Sequence, residues 1–353
     1  MNKILKYFLL ALGGIVLVAL AAAAYVAATF NPNDYKPQIV QLVKDKLDRT
    51  LRIDGDIKLT FYPALGADLG GLTLSEHASG KEFAAVESAR VALQLMPLLS
   101  RQVVISQIEV RGLRANLLKH KNGSTNVDDL IGSEAQKPQQ APGAPEQPTQ
   151  KPIQFNIDHV LIENASLAYA DERSGAKYTL NKLKLKTGRI AAATPADIEL
   201  GFALGASQPK LNADVQLKTR LAYAFDSGQF KLDALDLGVK GEAAGLNPLA
   251  LSLKGSIEGD AKALKSGGLA LAIDAKHGAN TIKAKLSSPL TLDLAEQTVD
   301  LRKLVANLAY THAKSARAPL AIELSGSARA DLPKQRASMD FSAKFDESTI
   351  TGK

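Results

Sequence analysis

From Leu211 to Phe225 apolar and polar residues alternate one by one, with Leu211, Ala213, Val215, Leu217, Leu221, Tyr223 and Phe225 set against Asn212, Asp214, Gln216, Lys218 and Arg220. In an extended chain successive side chains point to opposite faces, so the pattern predicts a strand with one apolar and one wetted face, as in antiparallel sheets. The alternation returns at Leu249, Leu251 and Leu253, at Leu269, Leu271 and Ile273, at Ile282, Ala284 and Leu286, at Leu290, Leu292 and Leu294, and at Leu320, Ile322 and Leu324. Gly, Pro, Asn and Ser between these runs supply the turns. No helical period is interleaved with them, which disfavours a parallel sheet with crossover helices.

A second pattern overlies the first. Ile105, Ile108, Val110, Leu113, Ala115 and Leu117 have the spacing of Ile157, Val160, Ile162, Ala165, Leu167 and Tyr169, an offset of 52 residues at every position. The same step of three followed by steps of two recurs at Leu180, Leu183 and Leu185, at Leu232, Leu235 and Leu237, and at Leu301 and Leu304. A step of three inverts the facing of a strand unless a bulge or bend restores it, so bent strands in a curling sheet are expected.

The N-terminal region reads differently. Residues 7–30 carry no charge, and a helix of that length, at about 1.5 Å per residue, can cross a hydrocarbon core of about 30 Å. Lys3 and Lys6 precede it and Asp34 is the first charge after it, which places the N-terminus in the cytoplasm and the body across the membrane. A cleaved signal peptide ending near the Ala21 to Ala24 run is the competing reading, and it exports the same body. After Asn31-Pro32-Asn33, Asp34 can cap a helix in which Ile39, Leu42, Val43 and Leu47 form a stripe expected to pack on the sheet, with the membrane surface as the alternative. Residues 133–152 hold five Pro and five Gln and read as an extended insertion within one continuous sheet. Replacing that insertion with a short Gly/Ser link should leave the thermal unfolding midpoint nearly unchanged, since loop length alters closure entropy by only about 0.6 kcal/mol per doubling.

Composition removes most catalytic chemistry. The chain has no cysteine and five widely spaced histidines, so thiolate nucleophiles, Cys-ligated metals and local two-histidine metal motifs are excluded. No phosphate loop, nucleophile elbow or calcium loop occurs. Asp128 and Asp129 read as the start of a helix, where anionic side chains are favoured, and Gly66, Gly70 and Gly71 as turns. A net charge of +7 is spread along the chain without a basic run, which does not imply nucleic acid. No catalytic, cofactor or metal residue is assigned.

These segments together resemble the AsmA family of envelope proteins: NPNDYKPQIVQLVKDKLDRTLRIDGDIKLTFYPALGADLGGLTLSE over residues 31–76, FAAVESARVALQLMPLLSRQVVISQIEVRG over 83–112, KNGSTNVDDL over 121–130 and IDHVLIENASLAYADERSG over 157–175. The family usually carries an aromatic where this chain has Val127. The resemblance implies a periplasmic β-rich body tethered to the inner membrane, similar to bridge-like lipid-transfer proteins, with a role in outer-membrane homeostasis. The expected organisation is a cytoplasmic tip and anchor over 1–30, an AsmA-like helix and β-repeat over 31–132, the insertion over 133–152, and a continuing β-groove over 153–353 that breaks off within a strand pattern, as in a fragment or a short member.

The expected fold is mainly β: the anchor, a short amphipathic helix, then a long curled antiparallel sheet of about 20 strands, on the order of 95 Å long, forming an apolar groove. Ile162, Leu167, Leu217, Leu251, Leu271, Leu292 and Ile322 are the residues expected to line it. The expected partners are phospholipid, the inner membrane through residues 7–30, and envelope assembly proteins, without nucleic acid. The expected function is a non-enzymatic lipid conduit, with an assembly factor for outer-membrane proteins as the alternative.

Overall fold

The structure, a computed structural model, describes residues 30–61, 64–99, 104–131, 156–191, 194–224, 227–312, 319–345 and 348–352. Most of the apolar segment over 7–30, the 133–152 insertion and Phe225 lie outside the described residues. Among the described residues no helix is long and apolar enough to cross a membrane.

Twenty-one strands join in one sheet. The first eight are halves of four bent strands: β1 (Leu51–Ile53) with β2 (Lys58–Thr60), β3 (Ala64–Leu69) with β4 (Leu72–Ser75), β5 (Glu82–Val86) with β6 (Ser88–Gln94), and β7 (Val104–Arg111) with β8 (Arg114–Lys119). Each half pairs with the matching half of the next bent strand, β1 with β4, β4 with β5 and β5 with β8 on one side of the bend, and β2 with β3, β3 with β6 and β6 with β7 on the other. The bend between the first two is so tight that a Cβ built on Gly55 would stand 2.5 Å from the Gly70 Cα, which only two facing glycines permit.

Twelve strands, all but the last of 10–15 residues, follow as an uninterrupted antiparallel meander. They are β10 (Val160–Asp171), β11 (Lys177–Thr187), β12 (Ala196–Ala206), β13 (Leu211–Ala224), β14 (Gln229–Ala243), β15 (Leu246–Gly259), β16 (Ala263–His277), β17 (Asn280–Asp293), β18 (Thr298–Thr311), β19 (Leu320–Asp331), β20 (Arg336–Phe345) and β21 (Ser348–Gly352). Because the eight short strands occupy only four positions across the sheet, its length at about 4.8 Å per strand is about 70 Å, shorter than expected from strand count alone.

The two parts meet in a parallel seam, so the sheet is not antiparallel throughout. Val160 lies opposite Ile108, Ile162 opposite Val110, Leu167 opposite Ala115 and Tyr169 opposite Leu117. The short β9 (Asn156–Ile157) extends the seam, pairing Ile157 with Ile105. Each pair is separated by 52 residues, so the sequence repeat is two copies lying side by side in register. The chain spacing demands this facing: in a parallel pair, equal apolar patterns superpose only at the repeat offset.

Five of the steps of three, Val110–Leu113, Ile162–Ala165, Leu180–Leu183, Leu232–Leu235 and Leu301–Leu304, hold a residue with positive φ one place before their end: Gly112 (62°), Asn164 (55°), Lys182 (55°), Ala234 (51°) and Lys303 (50°). The register shifts there, so the following apolar residue returns to the face it would have left. These bulges, the bends of the first four strands and the irregularity over Ser266 to Leu269 form one crease across the sheet. Small hydroxyls on intervening strands hold it. Thr219 Oγ1 donates to the Asp233 carbonyl at 3.0 Å and Ser288 Oγ to the Arg302 carbonyl at 3.0 Å, each carbonyl immediately preceding a positive-φ residue. Thr219 is buried, so Thr219→Val, which keeps the shape and removes the donor, is expected to destabilise the chain by about 1–3 kcal/mol in denaturant unfolding.

The described helices are few. A 3₁₀ turn over Pro32–Tyr35 is capped by Asn31, and α1 (Lys36–Leu47) follows with Pro37 in its first turn and Asp48 in left-handed conformation at its end. Asp34 therefore does not cap α1; its carboxylate accepts from the Asn31 side chain at 2.9 Å. Helix α1 lies along the β1 edge, where Asn33 bonds both backbone groups of Ile57, its Oδ1 accepting at 2.9 Å and its Nδ2 donating at 3.2 Å. Val40, Val43 and Leu47 are half-buried, whereas Ile39 and Leu42 are exposed, so the expected stripe is divided and only part of it packs. A short α2 (Leu95–Leu99) follows β6, and α3 (Asp128–Ile131) starts at the acidic pair.

Candidate functional site: an uncharged face on a creased sheet

The strand register lines up leucines. Leu185, Leu200, Leu217, Leu237, Leu253, Leu271 and Leu286 stand opposite one another on seven consecutive strands, β11 to β17. The line continues through Ile162, Val110, Ala89 and Leu69 towards the N-terminal edge, and through Ala306, Leu324 and Ala343 towards the other. A second line runs beside it from Phe202 through Val215, Val239, Leu251, Ile273, Ala284, Leu308 and Ile322 to Phe345. A third contains Leu74, Ala84, Ala115, Leu167, Leu180, Leu204 and Ala213. Beyond the crease Leu264, Leu292 and Val299 stand opposite one another.

The register therefore puts Ile162, Leu217 and Leu271 in the first line, Leu251 and Ile322 in the second, Leu167 in the third and Leu292 across the crease, all on one face. The bulge at Asn164 is what brings Ile162 and Leu167, five residues apart, to the same side. No paired position on this face from β11 to β20 is Asp, Glu, Lys or Arg. The charges stand on the other face, where Lys254 pairs with Asp236 at 3.0 Å, Lys283 with Asp274 at 3.6 Å and Lys218 with Glu199 at 3.7 Å.

Burial is one-sided. The buried residues of the long strands, among them Ala165, Ala213, Leu235, Ala275, Ala284, Leu304 and Ala306, all belong to the uncharged face. The seven expected lining residues are half-buried there. Side chains crowd together in this way on the inside of a curve. The substantial contacts of each long strand are with its sheet neighbours, and the substantial contacts of the described helices with strands are to β1 and β6. Among the described residues no second layer covers the face, and a strip of this size exceeds the few hundred Å² of apolar patch usual on a soluble monomer.

One charged cluster went unmarked in the sequence. Arg49, just after α1, is completely buried beneath the 121–131 loop. Its Nε and one terminal nitrogen donate to the two Asp129 oxygens at 2.6 and 2.7 Å, the other terminal nitrogen donates to the Ser75 carbonyl at 2.9 Å, and its guanidinium stands 4.6 Å from the centre of the Phe83 ring. The bonds from Arg49 hold the Asp129 carboxyl below its ordinary range against the opposing effect of partial burial. Asp128 meanwhile accepts from the Thr125 backbone at 2.8 Å and from its hydroxyl, tying the loop into α3. This cluster fastens α1, the β4 end and the loop together. Its residues are too distant in the chain, 49 against 129, for spacing to reveal it. Among the described residues no three His, Asp or Glu side chains gather as a metal site.

The family model described as "AsmA family" matches residues 1–353. "Protein AsmA" from Escherichia coli (strain K12) is 22% identical over 188 residues, which is 52% of this chain and 28% of that relative's length. No solved structure matches the chain.

Proposed function

This chain belongs to the AsmA family, and from that premise we propose that it is a non-enzymatic, inner-membrane-tethered lipid conduit whose creased sheet carries phospholipid acyl chains through the periplasm. Membership points to an envelope protein related to outer-membrane assembly or lipid transport. The observation that carries the finer reading is the uncharged face, continuous from β11 to β20 and lacking a covering layer. Each methylene exposed to water costs about 0.8 kcal/mol, so an acyl chain cannot cross an aqueous space unaided. Lines of leucine at each step along the sheet remove that cost, and passage from one rung to the next is close to neutral. Such sliding requires no catalytic group.

Native mass spectrometry of the full chain in detergent should find bound phospholipid. Photo-crosslinkers at Leu251 and Leu271 should capture it, and crosslinkers at Lys218 and Lys254 on the opposite face should not. Equal capture from both faces defeats the conduit.

A further inference from the structure

Helix α1 carries two neighbouring stripes. Lys36, Val40, Val43 and Leu47 turn towards the sheet and are half-buried. Tyr35, Ile39 and Leu42, at helical spacing, turn outwards and are 46%, 38% and 58% exposed. Lys46 continues the second stripe, where a long aliphatic stem can lie along apolar surface with its charge in water. The polar residues Gln38, Gln41, Lys44 and Asp45 occupy the rest of the helix surface, with Gln41 bonded to Asp45 and Lys44 to Asp48. The outer stripe is thus a bounded apolar strip that the sheet leaves uncovered.

Its continuation identifies what covers it. The uncharged apolar run of residues 7–30 ends at Phe30, and the Phe30 ring stacks on Tyr35, the first residue of the stripe, with centroids 5.6 Å apart. Only four residues, 31–34, separate the end of a segment able to span a membrane from this strip. Tyr and Phe suit the boundary between headgroups and acyl chains, and a helix with an apolar side and a polar remainder lies flat in that boundary.

We propose that α1 is an interfacial helix, with Tyr35, Ile39 and Leu42 embedded in the outer surface of the same bilayer that holds residues 7–30. Because α1 lies along β1, this docking sets the N-terminal edge of the sheet against the membrane, where the first line of apolar side chains begins near Leu69. The inference rests on the membrane anchor in the reading above, but not on lipid transfer.

The chain contains no Trp, so a single introduced one is an unambiguous reporter. Full-length chains bearing Leu42→Trp, Ile39→Trp or Gln41→Trp would be reconstituted into phosphatidylethanolamine/phosphatidylglycerol vesicles, with and without lipids brominated near the top of the acyl chain. Bromine should remove most of the emission at positions 42 and 39 and leave position 41 nearly unchanged. Co-flotation with vesicles reports the anchor separately. Co-flotation with unquenched, water-like emission at 42 and 39 overturns the proposal while leaving the anchor and the conduit intact. Blue-shifted but unquenched emission also overturns it, in favour of cover by protein. Chains that do not float overturn both the anchor and the interfacial helix.

Discussion

Arg49→Leu is expected to cost the fold about 3–5 kcal/mol, the range for removing one partner of a buried ion pair, and to lie towards the lower end because the Asp129 side chain keeps 22% of its exposure. Leucine fills much of the volume but leaves Asp129 without its two donors and the Ser75 carbonyl without one. Urea unfolding would measure the loss. The acid limb provides an independent check. The folded pKa of Asp129 is lowered, so its contribution is fully present above the unfolded value of about 3.9 and disappears as pH falls through the folded value. The stability of the natural chain should therefore decline below about pH 4 more than that of Arg49→Leu, whose Asp129 has lost the bonds that lower its pKa. Parallel acid limbs would show that the pair contributes nothing.

Leu271→Asp is expected to abolish acyl-chain capture while leaving the sheet folded. Leu271 stands between Leu253 and Leu286 in the leucine line and is only half-buried, so the strand tolerates the change in the absence of lipid. An acyl chain passing it must desolvate a carboxylate, when even a neutral polar group costs about 2–7 kcal/mol to bury unpaired. Ala270→Asp places the same charge one residue away on the opposite face, across from Lys254, and should leave capture unchanged. Circular dichroism would establish that both variants fold. Equal loss of bound phospholipid in both variants, or in neither, removes the face from the mechanism.

The long strands were readable because their pattern is strictly local. Period-two alternation places Leu217 and Leu251 on a face whichever strand lies beside them, and the steps of three at Leu232–Leu235 and Leu301–Leu304 announce bulges because no other device keeps both leucines on that face. The bent strands of the first 120 residues were harder. Each half is only three to eight residues long, and pairing divides at the bend, so a count of strands overstated the sheet's length. The seam was visible as a repeat but not as a contact, since two matching patterns fit equally well side by side or far apart. The division of α1 is not legible in the sequence, because a helix with apolar residues on two adjoining stripes, Val40 with Val43 and Leu47 beside Ile39 with Leu42, does not reveal which one packs. Arg49 was invisible for the opposite reason: one arginine among 43 basic residues carries no mark of burial.

The meander from β10 to β21 has a consequence for how the chain can be made. Every strand after β10 pairs with the strand immediately before it, so each finds its template already present when the chain emerges N-terminus first. Closing a hairpin between adjacent strands is entropically cheap, and the separation does not grow as the sheet lengthens. Only the seam, joining residues 52 apart, has to wait for distant chain. Once it forms, the sheet advances like a zip with one live edge at a time, and two further strands would extend it by about 10 Å without disturbing any contact behind them.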